Sequence, residues 1–166
     1  MDQQRRPESA LHEGTDYPSP FTKVLALGYY DGPTEGFVQG GEGGPVYRFH
    51  MLAWDSETQD LRVFGLAPCP SDSLARLVAL CERYEPARWP VWVPSWHEGL
   101  EGETEQLLSE AGTFGWVVAA HDLLGQILVA KEVTSEEVTR TTDWSASLGL
   151  GTQCQRIAAD QFPAGE

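Results

Sequence analysis

The segment Val46 to Trp54 constrains the fold more than any other part of the chain. Tyr47, Phe49, Met51 and Ala53 fall on one side of an extended backbone. Val46, Arg48, His50, Leu52 and Trp54 fall on the other. A period of two is the signature of a strand, and it predicts that the first set faces the core. Six polar turn residues, Asp55 to Asp60, lead into a second apolar run, Leu61 to Ala67. The two runs predict an antiparallel hairpin.

The rest of the chain is organised around that hairpin. Phe21 to Tyr30 is rich in Val, Leu and Tyr and predicts a strand, stopped by Asp31-Gly32-Pro33. A short strand is expected around Gly36 to Gln39, and Gly40 to Pro45 reads as a loop. After the hairpin, Pro70-Ser71-Asp72 is a helix start in which Ser71 or Asp72 caps the first amides. Leu74, Leu77, Val78 and Cys81 then share one helical face, and the helix is expected to end near Tyr84. Arg88 to Trp96 carries Pro90 and Pro94, which reduce it to a short or edge strand.

Glu101 to Ala111 predicts a second helix with Leu107, Leu108 and Ala111 inward. Phe114 to Ala120 and Gln126 to Val133 predict two more strands. Thr134 and Glu137 have the spacing of a capping box. A third helix is expected to follow, presenting Val138, Thr141 and Trp144 or Ser145 to the body. Strands in hairpins rather than in regular strand–helix–strand units predict an α+β fold. The expected sheet is mostly antiparallel, with about five to six strands and two to three helices on one face. The expected organisation is a disordered tail over 1–18, a single α+β domain over 19–148 and a weakly patterned tail over 149–166.

With 166 residues, one core that buries roughly 70% of the unfolded surface is expected. The chain has 25 acidic residues against 11 basic ones, a formal net charge of −14. That balance argues against nucleic acid, which needs a basic surface, and against anionic lipid. It permits a basic protein partner or a cationic ligand, and the plainer reading is solubility alone. The N-terminus has no apolar run of the signal-peptide kind, and no stretch approaches the roughly 20 apolar residues of a spanning helix. Cys69, Cys81 and Cys154 are odd in number and form no C-x-x-C pair. Free thiols and a cytoplasmic location are therefore the expectation.

Several residue groups invite a chemical reading. Cys69 precedes a helix start, which favours a thiolate, and His50 and Asp72 are its candidate base and orienter. The plainer reading of Cys69 is a small residue at a strand end. His97, Glu101 and Glu105 have helical spacing for a metal, but Gly99 and Gly102 weaken that helix. No metal site and no cofactor are expected, because the standard metal, phosphate-loop and nucleophile motifs are missing. Arg88, Trp89, Trp92 and Trp96 form a proline-stiffened aromatic segment, suited either to a contact surface or to core packing. Tyr29, Tyr30 and Asp31 stand beside a tight turn and offer a ligand edge.

The leading expectation is thus a small acidic binding protein without catalysis. It would meet a protein partner, basic in character, through the Trp89 to Trp96 segment and the acidic turn regions. The alternative is an enzyme or sensor with a pocket between sheet and helices, using Cys69 and His50.

Overall fold

The computed structural model of the chain describes residues 21–40, 44–55, 60–95, 98–124, 127–151 and 154–156. The fold is α+β, and its sheet is mostly antiparallel. The strands are β1 (Phe21–Tyr29), β2 (Pro33–Gly40), β3 (Val46–Asp55), β4 (Arg62–Pro68), β5 (Val91–Trp92), β6 (Trp116–Ala120), β7 (Ile127–Glu132) and β8 (Cys154–Arg156). The helices are α1 (Ser73–Cys81), α2 (Glu101–Ser109), α3 (Ser135–Arg140) and α4 (Trp144–Leu148), and a 3-10 turn over Glu98–Leu100 leads into α2. The strand order is β5-β1-β2-β3-β4-β6-β7, with β8 also on β3. Among the described residues, only the β1–β5 pairing is parallel. Both counts exceed the sequence expectation of five to six strands and two to three helices.

The sheet curls. Val91 belongs to the first strand in the order and His121–Leu123 follow β6 near the last, yet they line one cavity. Strand twist and bulges produce such curvature. Irregular register occurs in β1 around Ala26 and Gly28 and in β3 between Met51 and Ala53. Gly36 is required at its bend. Its φ is +149°, and a Cβ there would lie 2.0 Å from the carbonyl oxygen of Leu25.

One sheet face buries Val24, Val38, Phe49, Phe64, Leu66 and Val118 in a cluster without helical members. The opposite face carries two clusters that contain the helices. In one, α1 and α2 bring Leu74, Leu77 and Leu107 against Leu25, Phe37 and Val46. In the other, α3 and α4 bring Val138, Trp144 and Leu148 against Val63, Val117 and Ala119. Each fully buried side chain of this kind contributes roughly 1.5–3 kcal/mol of transfer free energy.

Several elements differ from the sequence reading. Ala53 packs with the helical-face cluster and Trp54 with the other, the reverse of strict alternation. The irregularity after Met51 inverts the facing, since one extra residue exchanges the two sides of a strand. Asp72 occupies the cap position of α1 but makes no capping hydrogen bond, and its carboxylate lies 3.9 Å from Arg76. The capping box at Thr134 and Glu137 forms as expected. The helix it opens stops at Thr141, whose backbone is extended, and Asp143 caps a separate α4 by accepting from Ala146 N. Residues 154–156, within the expected C-terminal tail, form β8 on the end of β3 that β2 does not reach. The expected tail over 1–18 lies outside the described residues. Among the described residues, no helix is long and apolar enough to cross a membrane.

Candidate functional site

The turn between β1 and β2 is built by backbone conformation. Asp31 has φ +53° and Gly32 has φ +135°, left-handed values that Asp and Gly tolerate best. Together with Gly36, this turn holds three of the four positive-φ residues among the described positions. Such backbone clusters at binding sites more often than elsewhere.

Arg62 fastens the turn from below. It opens β4 and is 4% exposed. Its Nη2 donates to the carbonyl oxygens of Tyr30 at 2.6 Å and Asp31 at 3.2 Å, and its Nη1 donates to that of Pro33 at 3.4 Å. The guanidinium also stacks 5.6 Å from the Trp54 ring, which meets Tyr30 at 5.6 Å. Burial pulls the Arg62 pKa down, while the charge of Asp31 acts against that shift.

Above Arg62 opens a cavity of about 320 Å³, lined among others by Tyr29, Asp31, Val91, His121 and Asp122. It forms the mouth of the curled sheet. Tyr29 is 42% exposed and Val91 37%. Asp122 accepts from Leu124 N at 3.0 Å and shapes the opposite rim. Asp31 and Asp122 line the mouth, and Asp60 stands close enough to act on Arg62. Asp31 and Asp60 thus act on the guanidinium, while Asp31 and Asp122 line the cavity together with Arg62 itself. A cationic group with access to an aromatic face suits that arrangement.

The structure separates the members of the tryptophan segment. Trp92 is 2% exposed and packs in the α1–α2 cluster. Its Nε1 donates to Glu85 at 3.0 Å, and Ser95 N donates to the same carboxylate at 2.9 Å. These bonds hold the Glu85 carboxyl down to about 2. Trp89 is half-buried, edge-on to Trp92 at 5.8 Å, with Lys23 5.1 Å from its ring. Arg88 is exposed, and Trp96 lies outside the described residues. The surface left open here is Val91 of β5 and Val93 just after it, rather than the tryptophan between them.

Among the described residues, no hydrogen bond or ion pair joins Cys69, His50 and Asp72. The Nδ1 of His50 lies 3.3 Å from Glu35, its directly paired neighbour on β2. That hydrogen bond holds the Glu35 carboxyl below its usual value. Asp72 faces Arg76. Burial pushes the Cys69 thiol up to about 11, opposite to an activated nucleophile. Alkylation of Cys69 by iodoacetamide near neutral pH is therefore expected to be slower than that of a free peptide thiol. A rate equal to or above the peptide's would restore the nucleophile reading.

Of the spaced metal candidates, Glu101 and Glu105 are exposed on α2, and His97 lies outside the described residues. Among the described residues, no three His, Cys, Asp or Glu side chains gather as metal ligands do. Arg62 and Glu35 escaped the sequence reading. Nothing in spacing links Arg62 to a turn some 30 residues earlier, and the Glu35–His50 pair follows only from strand register. No family model, curated protein or solved structure matches the chain.

Proposed function

We infer that the chain is a non-catalytic binding protein whose mouth receives a basic side chain of a partner protein. The observation that carries this reading is the meeting of exposed Tyr29 with Asp31 and Asp122 around one cavity. A lysine or arginine entering there finds two carboxylates and an aromatic face. Flanking apolar residues of the partner find Val91 and Val93, 37% and 46% exposed. The formal net charge of −14 steers a basic partner toward the protein over long range. Of the contact regions expected from the sequence, Trp92 is core, and this reading rests on the turn that carries Tyr29 and Asp31.

A blocked hexapeptide of lysine and arginine, followed by calorimetry at low salt, tests this. Replacing Asp31 and Asp122 together with Asn removes two charges and keeps oxygens able to accept the rim hydrogen bonds. Replacing Glu101 and Glu105 with Gln removes the same charge from α2. The mouth pair is expected to weaken binding about tenfold, or about 1.4 kcal/mol, and the helix pair by less than about twofold. Equal losses from both pairs would reduce the interaction to bulk charge and remove the mouth's role.

A further inference from the structure

A second cavity, remote in chemistry from the mouth, lies on the helical face of the sheet. It measures about 450 Å³ and opens between β3, α3 and the segment before β6. Arg48 and His50 alternate onto this face of β3 and both line it, as do the hydroxyl-bearing Ser135 and Thr139. Phe114 and Val138 supply apolar wall. Phe114 also covers Gly65, the residue paired with His50 across the β3–β4 ladder.

Among the described residues, four cations of this chain stand within 4 Å of an acid, whereas Arg48, like Lys23 and Arg88, does not, although its charge helps to hold the Glu35 carboxyl down. Arg76 has Glu110, Arg83 has Glu103, Lys131 has Glu137 and Arg140 has Glu136. Arg48 forms no such pair among the described residues, although acids outnumber bases 25 to 11. Its Nε is fully buried and, among the described residues, has no hydrogen-bond partner. A buried donor left unmet costs stability, and native proteins satisfy nearly all of theirs. Glu35 engages His50 from the other side, at Nδ1, and fixes the ring with Nε2 away from that carboxylate. The remaining side of the pair is cationic and hydroxyl-lined.

We propose that this cleft binds a small organic anion, its carboxylate or phosphate held by Arg48 and His50 and its apolar body resting on Phe114 and Val138. Arginine meets either oxyanion with a planar fork of donors. The negative field of the chain repels such a ligand at long range, so affinity must come from contact. Raising salt should therefore leave binding unchanged or strengthen it, the opposite of the response expected for a basic peptide at the mouth.

Benzoate and phenyl phosphate are the probes, titrated into the full chain and followed by NMR shifts of ring protons and protein amides. At least one is expected to bind in the millimolar range, and Arg48→Met is expected to weaken it at least tenfold. Because the substitution removes an unmet donor, its melting temperature is expected to equal or exceed that of the parent. His50→Gln provides a second variant, expected to weaken the same probe several-fold, while the Asp31→Asn, Asp122→Asn protein binds it as the parent does. Three results would overturn the proposal: neither probe binds the parent, Arg48→Met binds as tightly as the parent, or Arg48→Met melts markedly lower. Failure here leaves the mouth reading untouched, since that reading rests on neither Arg48 nor His50.

Discussion

Trp92→Ala is expected to destabilise the protein by about 3–5 kcal/mol. The ring is 2% exposed and stands among Leu25, Phe37, Leu77 and Leu107, where β5 meets α1 and α2. Truncation leaves a cavity that these neighbours fill only in part, because interiors pack near crystalline density. It also takes the indole donor from Glu85 and the edge contact from Trp89. Ordinary domains have only about 5–15 kcal/mol in total, so one substitution removes a large share. Equilibrium urea denaturation followed by circular dichroism measures the loss. A change under about 1 kcal/mol would mean that the ring is not core. Had the tryptophan been a contact residue, the variant would have kept its stability and lost only a partner.

Arg62→Met is expected to be nearly as severe, about 3 kcal/mol or more. Methionine fills much of the stem's volume but offers nothing to the carbonyls of Tyr30, Asp31 and Pro33. Those acceptors lose their shared donor, and the turn at Asp31 and Gly32 loses the charge that fastens its left-handed backbone. Loss of the stacking on Trp54 adds to the deficit. Lysine does not rescue it, because a compact ammonium cannot span three carbonyls as a planar guanidinium does. Denaturation of Arg62→Met and Arg62→Lys measures both effects. A melting curve for Arg62→Lys that overlays the parent's would show that charge alone is enough.

These two residues mark the reach of sequence reasoning in this chain. Strands and helices were legible wherever an apolar period persisted. The β3–β4 hairpin, the inner face of α1 and the cap at Thr134 all follow from local spacing. The reading faltered where one extra residue inverts a strand, as between Met51 and Ala53. It also faltered where a helix breaks and is recapped, as between Thr141 and Asp143. β8 is three residues long, too short for any period to declare itself.

The site was legible only in part, for a similar reason. Turn chemistry pointed to Tyr29, Tyr30 and Asp31, because Asp, Gly and Pro crowd there. That His121 and Asp122 come to face them depends on the curl of the whole sheet, which no local pattern encodes. Arg62 reads in sequence as an ordinary polar residue at a strand start, and its burial becomes visible only when the turn is seen around it. For Trp92 the sequence left both core and contact open, with core packing the plainer reading, since prolines on both sides suit an edge strand of either kind.

The central claim is that a cationic group enters the mouth, and amide mapping tests it most directly. The ¹⁵N-labelled protein would be titrated with the blocked lysine–arginine hexapeptide at moderate salt, and the shift of every assigned amide recorded. The account predicts the largest changes at Tyr29 to Gly32 and at His121 to Leu123, saturating with a single affinity. Largest changes along the acidic start of α2, or small changes spread over the whole surface, would contradict it.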